Sequence, residues 1–198
     1  MQPRVRLTVM VTGLLALAGL LIAVLIHDPV TDAGGAAYAG AVAAPGQPAA
    51  SFVLRDQDGH VVRAPALRGS PVILTFLYTT CQDTCPVTAQ QIRGALDQLD
   101  TPVPALAVAV DPPRDTALRA KRFLQRQSLA GRMSFLLGPR PELQRVWREY
   151  GIQPQEQGLD HSARVVLLDA DGRPAVAWPT ERLTPEGLAH DLRLLQAK

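Results

Sequence analysis

Two uninterrupted apolar runs, PVILTFLY at 71–78 and ALAVAV at 105–110, constrain this chain more than any other feature. Neither alternates with polar residues, so each suits a strand buried on both faces of a sheet. Between them Pro86 can open a helix, and Ile92, Ala95, Leu96 and Leu99 recur at helical spacing to give it a core face. Strand, helix and second buried strand in that order require a crossover, and therefore parallel neighbours wound right-handed.

The flanking segments complete a recognisable order. SFVLRDQDGHVVRAPAL, from Ser51, places two short extended runs around Asp58-Gly59, a hairpin signal. Asp115 or Thr116 can cap a helix running to about Leu129, followed by a short strand MSFLL at 133–137 and a helix over Pro141–Tyr150. Trp147 and Tyr150 read as packing residues of that helix. ARVVLLDADGRPAVAW, at 163–178, is strand, Asp-Gly turn and strand, and Thr184 caps a last helix bearing Leu188, Leu192 and Leu195. Hairpin, βαβα, antiparallel hairpin and terminal helix is the order of an α/β thioredoxin-like fold, a central mixed sheet flanked by helices. In such sheets the functional site lies beyond the carboxyl ends of the parallel strands.

Ahead of this domain, expected over 51–198, lies LTVMVTGLLALAGLLIAVLI, residues 7–26, twenty positions without a charge. That length matches a bilayer-crossing helix and exceeds the apolar core usual in a cleaved signal peptide. AYA at 37–39 and AVA at 41–43 resemble cleavage sites but stand far from the apolar run, so an uncleaved anchor is expected. Arg4 and Arg6 precede the run, and no Lys or Arg recurs until Arg55. The bias places residues 1–6 in the cytoplasm and the C-terminal domain on the periplasmic or extracytoplasmic side of the cytoplasmic membrane. Residues 27–50, rich in Gly, Ala and Pro without periodicity, read as a flexible tether. A net charge of +2 with scattered arginines and no aromatic-interleaved basic run argues against a nucleic-acid partner.

The chain has two cysteines, both in TTCQDTCP. Cys85 directly precedes Pro86, at a helix N-terminus where unpaired N–H groups and the helix dipole favour thiolate. The spacing is Cys-x-x-x-Cys, one residue longer than in thioredoxin-type oxidoreductases, which can spread two sulfurs around an ion without forbidding a disulfide. Of the four histidines, His27 sits at the membrane boundary, His60 in a hairpin turn and His190 on the polar side of the last helix. His161 ends a polar loop before a buried strand, and the expected fold brings that segment beside the first helix's N-terminus, where a thioredoxin has proline. Two thiolates and an imidazole suit copper, as Cu(I) or Cu(II), better than zinc, which normally takes four ligands in a closed site. Asp160 can orient the imidazole from behind or merely shape its loop.

TFLYTTCQDTCP, VAVDPPRDT at 107–116, YGI at 150–152 and DHSARVVLLDADGRP at 160–174 together resemble the Sco/SenC family of membrane-anchored copper proteins. The resemblance covers most of residues 51–198. It implies copper ligation by Cys81, Cys85 and His161, and a role in delivering copper to, or maintaining cysteine ligands of, the copper centre of cytochrome c oxidase. The implied partners are the copper-bearing oxidase subunit, a copper donor and a thiol reductant. Gln82 departs from the family, where proline commonly precedes the aspartate. Asp83 fits the pattern, as a metal-site neighbour or simply as a turn former. VAVDPPRDT also has a purely structural reading, with Asp111 ending a strand, Pro112-Pro113 turning the chain and Asp115 capping a helix.

A rival from another class uses the same thiols. A membrane-tethered thiol–disulfide oxidoreductase or redox sensor needs Cys81 and Cys85 as a redox pair but not His161. A thiol peroxidase is disfavoured, because neither cysteine has threonine three positions ahead. A purely structural disulfide is disfavoured because a domain of this size needs no staple.

Overall fold

The computed structural model describes residues 37–154 and 164–198. Its elements are β1 (Ala41–Val42), β2 (Val53–Arg55), β3 (Val61–Arg63), β4 (Val72–Leu77), α1 (Thr84–Asp97), β5 (Ala105–Ala109) and α2 (Ala117–Arg126). There follow β6 (Met133–Leu136), α3 (Arg140–Glu149), β7 (Arg164–Leu168), β8 (Pro174–Pro179) and α4 (Pro185–Gln196). Six strands form one mixed sheet in the order β1-β8-β7-β4-β5-β6. This is the mixed sheet with flanking helices expected from the sequence. The apolar segment 7–26 lies outside the described residues, and within them no helix is long and apolar enough to cross a membrane.

β4 is central because every one of its six residues is buried, so no face is left for solvent. It pairs in parallel with β5, Ile73 opposite Ala105 through Leu77 opposite Ala109. On its other edge it runs antiparallel to β7, Val72 opposite Leu168 through Thr75 opposite Val165. Thr75, the one polar residue of β4, stays satisfied by donating its hydroxyl to the Arg164 carbonyl at 3.2 Å. β5 continues in parallel to β6, so α1 and α2 are the crossover connections that parallel neighbours require.

Helix packing follows the small residues. α1 lies against α4, and a Cβ on Gly94 would stand 3.0 Å from the Pro185 ring, so glycine lets the two elements approach closely. On α3, Leu143, Val146 and Trp147 are buried, and the indole N–H of Trp147 donates to the Ala109 carbonyl at 3.0 Å. Tyr150 packs its ring 5.5 Å from that of Phe76. The packing roles expected of both aromatics are therefore observed. β2 and β3 make the expected separate hairpin, its turn tied by the Asp56 carboxylate accepting the N–H groups of Asp58 and His60 at 2.8 and 2.9 Å.

One expectation is corrected. The tether assigned to residues 27–50 is not free along its described part, because Tyr38 onward belongs to the folded unit. β1 adds antiparallel to β8, and the N–H groups of Ala39 and Gly40 donate to the two carboxylate oxygens of Asp191 at 2.7 and 2.9 Å. Asp191 lies wholly buried on α4 and also accepts the Trp178 indole N–H at 3.0 Å. Gly40 is required there, since a Cβ would stand 2.5 Å from the Trp178 indole nitrogen. Small residues without periodicity thus form an edge strand held by backbone bonds and one carboxylate.

Asp191→Ala leaves the buried Trp178 indole N–H without its acceptor and frees the part-buried Ala39 and Gly40 N–H groups, and an unsatisfied buried group costs about 1–3 kcal/mol. Urea unfolding of a fragment beginning at Ala37 is expected to show a loss of about 1–3 kcal/mol. Asp191→Asn, which retains one carbonyl acceptor, is expected to lose less.

Candidate metal centre

β4 ends at Leu77 and α1 begins at Thr84, so the connection Tyr78–Asp83 emerges at the carboxyl end of the parallel strands. The helix starts two residues ahead of Pro86, which costs no hydrogen bond because the first four N–H groups of a helix have no partner within it. Cys85 therefore sits inside the first turn and is fully buried, whereas Cys81 in the loop is half-exposed. The two are not joined by a disulfide.

The two sulfurs are chemically unlike. The Cys85 backbone N–H donates to Cys81 Sγ at 3.3 Å. The Cys81 thiol is lowered to about 5, chiefly by a hydrogen bond from the Cys85 side chain; partial burial opposes this, and the N–H groups of Cys85 and Asp83 and the Tyr78 side chain assist. Cys85 is pushed well above an ordinary thiol, first because it holds the proton shared with Cys81 and second because it is buried. The negative charge of Asp115 adds to that rise. At neutral pH the pair thus carries one proton, on Cys85. Cys81 is a half-exposed thiolate, both a nucleophile and a soft metal ligand. Binding a metal through both sulfurs must release the Cys85 proton.

Asp83 stands at the N-cap of α1 but makes no side-chain capping bond, and its carboxylate is exposed. Its contribution to the thiolate is its backbone N–H.

Asp115 has a role that the sequence reading missed. Thr116 is the residue that caps α2, its hydroxyl accepting the Arg119 N–H at 3.3 Å. Asp115 instead turns inward, one oxygen accepting the Thr79 N–H and hydroxyl at 2.7 and 2.8 Å, the other the Asp111 N–H at 3.0 Å. The loop after β5 is thereby tied to the loop carrying Cys81. Burial raises the Asp115 carboxyl to about 6, although its Thr79 and Asp111 donors pull it back. Asp111 meanwhile holds Arg114 through its carboxylate. A short acid ahead of a helix looks like a cap in sequence, and nothing local distinguishes a buried brace.

His161 and Asp160 lie outside the described residues, as does His27. Arg164, three residues after His161, opens β7 beside the carboxyl half of β4, the same end from which Cys81 emerges. His60 and His190 are exposed, as expected. Among the described residues one other group of potential ligands clusters, Asp56, Asp58 and His60. These are occupied by their own hairpin turn and by a 2.8 Å ion pair from Lys121 to Asp58.

The SCO1/SenC family model matches residues 42–196. A bovine mitochondrial SCO2 homolog is 31% identical over 134 residues, 61% of this chain and 50% of the relative. A SCO2-like protein of Rickettsia prowazekii is 25% identical over 134 residues, 62% of this chain and 64% of the relative. The chain thus spans half to under two thirds of the length of these curated relatives. Among solved structures, Bradyrhizobium japonicum ScoI with copper bound matches with a TM-score of 0.60 at 32% identity, over 74% of this chain and 98% of that one. BsSco, a member of the Sco family of cytochrome c oxidase assembly proteins in which a disulfide switch is identified, matches with a TM-score of 0.65. At 22% identity, over 79% of this chain and 98% of that one, it supports the fold alone.

Two outcomes follow from the ionisation pattern. Iodoacetamide should alkylate Cys81 at a rate that rises with pH to half its maximum near 5 and is flat from about 6 to 8, with Cys85 protected until unfolding. Mass spectrometry after trypsin digestion reads both sites. Asp115 has a raised folded pKa, so its stabilising effect is complete below its unfolded value and is lost as pH rises through about 6. Asp115→Asn lacks this titration. Its stability difference from wild type should shift in its own favour by about 2–3 kcal/mol between pH 4 and 7 in urea unfolding.

Proposed function

The chain belongs to the SCO1/SenC family, and from that premise we propose that it is a membrane-anchored copper-binding protein of cytochrome c oxidase assembly, delivering copper to the oxidase's copper centre. The observation that carries this reading is the unlike thiol pair at the carboxyl end of the sheet. One sulfur is already ionised and reachable from solvent, and the other is buried one helical turn away with the proton it must give up. Soft sulfur donors suit Cu(I). The copper-bound relative, similar over nearly its whole length, supports carrying copper across to this chain as cargo.

In this proposal His161 is the third ligand and Asp160 its orienting neighbour. Supporting it is the register of β7, which brings the residue three positions after His161 to the end of β4 that leads into the cysteine loop. Residues 7–26 would anchor the chain with its C-terminal domain outside the cytoplasm. Copper reaches Cys81 first, because it needs no deprotonation, and Cys85 closes the site as its proton leaves to solvent. An incoming partner thiolate can then displace these ligands one at a time, so transfer passes through no bare ion.

A second reading, thiol–disulfide exchange, is favoured by the same asymmetry. A half-exposed thiolate attacks a partner disulfide, and the buried neighbour then attacks the mixed disulfide and releases the partner reduced. Cys81 and Cys85 end as a disulfide, so a thiol reductant must reset them. This reading does not need His161.

Anaerobic Cu(I) titration of the reduced chain, beside Cys81→Ala, Cys85→Ala and His161→Ala, tests the first reading. One equivalent is expected for wild type and none held tightly by either cysteine variant. Groups behind metal ligands are worth about 10–100-fold in affinity, so loss of the ligand His161 should cost no less. Unaltered affinity and spectrum in His161→Ala would remove the three-ligand site. Insulin reduction with turnover equal in wild type and His161→Ala would favour the second reading.

A further inference from the structure

We propose that the exposed basic face of α2 is a docking surface for an acidic protein that exchanges copper at the neighbouring thiols; this rests on the copper reading above. α2 carries Arg119, Lys121, Arg122 and Arg126 and no acidic residue, unlike α1, α3 and α4, each of which holds at least one. Ala120, Phe123 and Leu124 face the core, and Lys121 is engaged by Asp58. Arg119, Arg122 and Arg126 are exposed and, at spacings of three and four, share one side of the helix. Among the described residues no carboxylate pairs with any of the three.

Helix stability does not account for this stripe. Like charges three and four apart repel, and Arg119 lies in the first turn, where the helix dipole disfavours a cation. Arg126, in the last turn, suits the dipole, but the mutual repulsion and the placement of Arg119 work against the element, as surfaces built for a partner can.

Its location points to the thiol site. α1 and α2 both begin at the carboxyl end of the parallel strands, and the Asp115–Thr79 bonds join the lead-in to α2 to the Cys81 loop. Each helix also exposes one aliphatic residue in its first turn, Val87 on α1 and Leu118 on α2, both 57% exposed. Apolar contacts beside a charged flank are the composition of a transient protein interface. A membrane surface fits less well. The chain joins the sheet through β1, at one edge, whereas α2 leads into β6, at the other. Six strands separate the edges by roughly 24 Å, so the basic face lies toward the sheet edge opposite β1, the first described strand.

The test uses the full chain in neutral phosphatidylcholine nanodiscs. The probe is the soluble, copper-free domain of the copper-bearing subunit of the same organism's oxidase. Binding of the two copper-free chains is measured at about 20 and about 200 mM NaCl, where the screening length falls from roughly 20 to roughly 7 Å. Added salt is expected to weaken wild-type binding at least about tenfold. The Arg119→Glu/Arg122→Glu/Arg126→Glu variant should bind at least about tenfold more weakly at low salt, and the corresponding triple Gln variant should fall between. Cu(I) stoichiometry should be unchanged in both, and unchanged far-UV circular dichroism and urea midpoints show that they fold. Salt-independent binding, equal binding by the variants, or no wild-type binding at low salt would overturn the proposal. So would phosphatidylglycerol vesicles that capture wild type but not the Glu variant, which would make the face a lipid site. If docking behaves as expected but the loaded wild type passes no copper to the probe, the copper reading falls and the surface stands. If copper passes equally fast from every variant at either salt, the surface falls and the copper reading stands.

Discussion

The whole arrangement depends on one strand that cannot move. β4 is buried on both faces and hydrogen-bonded along both edges, in parallel to β5 and antiparallel to β7. A slip of one residue would turn Thr75 and the alternate apolar side chains to the wrong faces of a two-sided core, so its register is strongly specified. The loop holding Cys81 leaves the end of this strand, and α1, which holds Cys85, begins seven residues after it. The relative placement of the sulfurs therefore derives from the most rigid element in the molecule. Binding sites lose function through small displacements, and this one is built on the part of the fold least able to be displaced.

Rigidity alone would leave two equivalent thiols. Their difference comes from depth and from direction of donation. Cys85, in the first helical turn, is sealed by the core, and both its S–H and its N–H point to Cys81. Cys81, in the loop, collects donors and keeps contact with solvent. Asp115 reinforces the difference from below: buried at the junction of the two loops, it braces Thr79, and its charge further disfavours a thiolate at Cys85.

Much of this was legible in the residues themselves. Val72–Leu77 and Ala105–Ala109 are readable as strands because runs apolar throughout but for Thr75, with no alternation, suit strands buried on both faces of a helix-flanked sheet. Pro86 marked the helix start to within two residues, the uncertainty being that any of the first three helical positions spares a proline its missing donor. What could not be read were contacts made across the chain by single short acids. Asp191 stands beside exposed His190 and looks like its polar neighbour, yet it closes a strand 151 residues away. Residues 39–43 offer no periodicity because backbone bonds and the Asp191 carboxylate, more than their own small side chains, hold them. Asp115 looks as able to cap as Thr116, because capping and bracing require the same short acceptor, and only the burial of Thr79 separates them.

The unlike thiols also explain why two functional readings converge on one loop and where they part. Both begin with the Cys81 thiolate, which attacks a disulfide or accepts a soft ion without waiting for deprotonation. Both end with the loss of the Cys85 proton, since neither a second sulfur–copper bond nor an internal disulfide can form on a thiol that retains it. The difference is that ligation leaves both sulfurs reduced and displaceable, whereas the disulfide withdraws two electrons that a separate reductant must restore. A chain held outside the cytoplasm, as proposed here, would meet that demand repeatedly, so copper carriage and thiol exchange would alternate at one site. The protein can favour carriage in one way that exchange does not need, by supplying a third donor that stabilises the metal-bound form alone. That is the role proposed for His161, and it is why the imidazole, rather than either cysteine, separates the two functions.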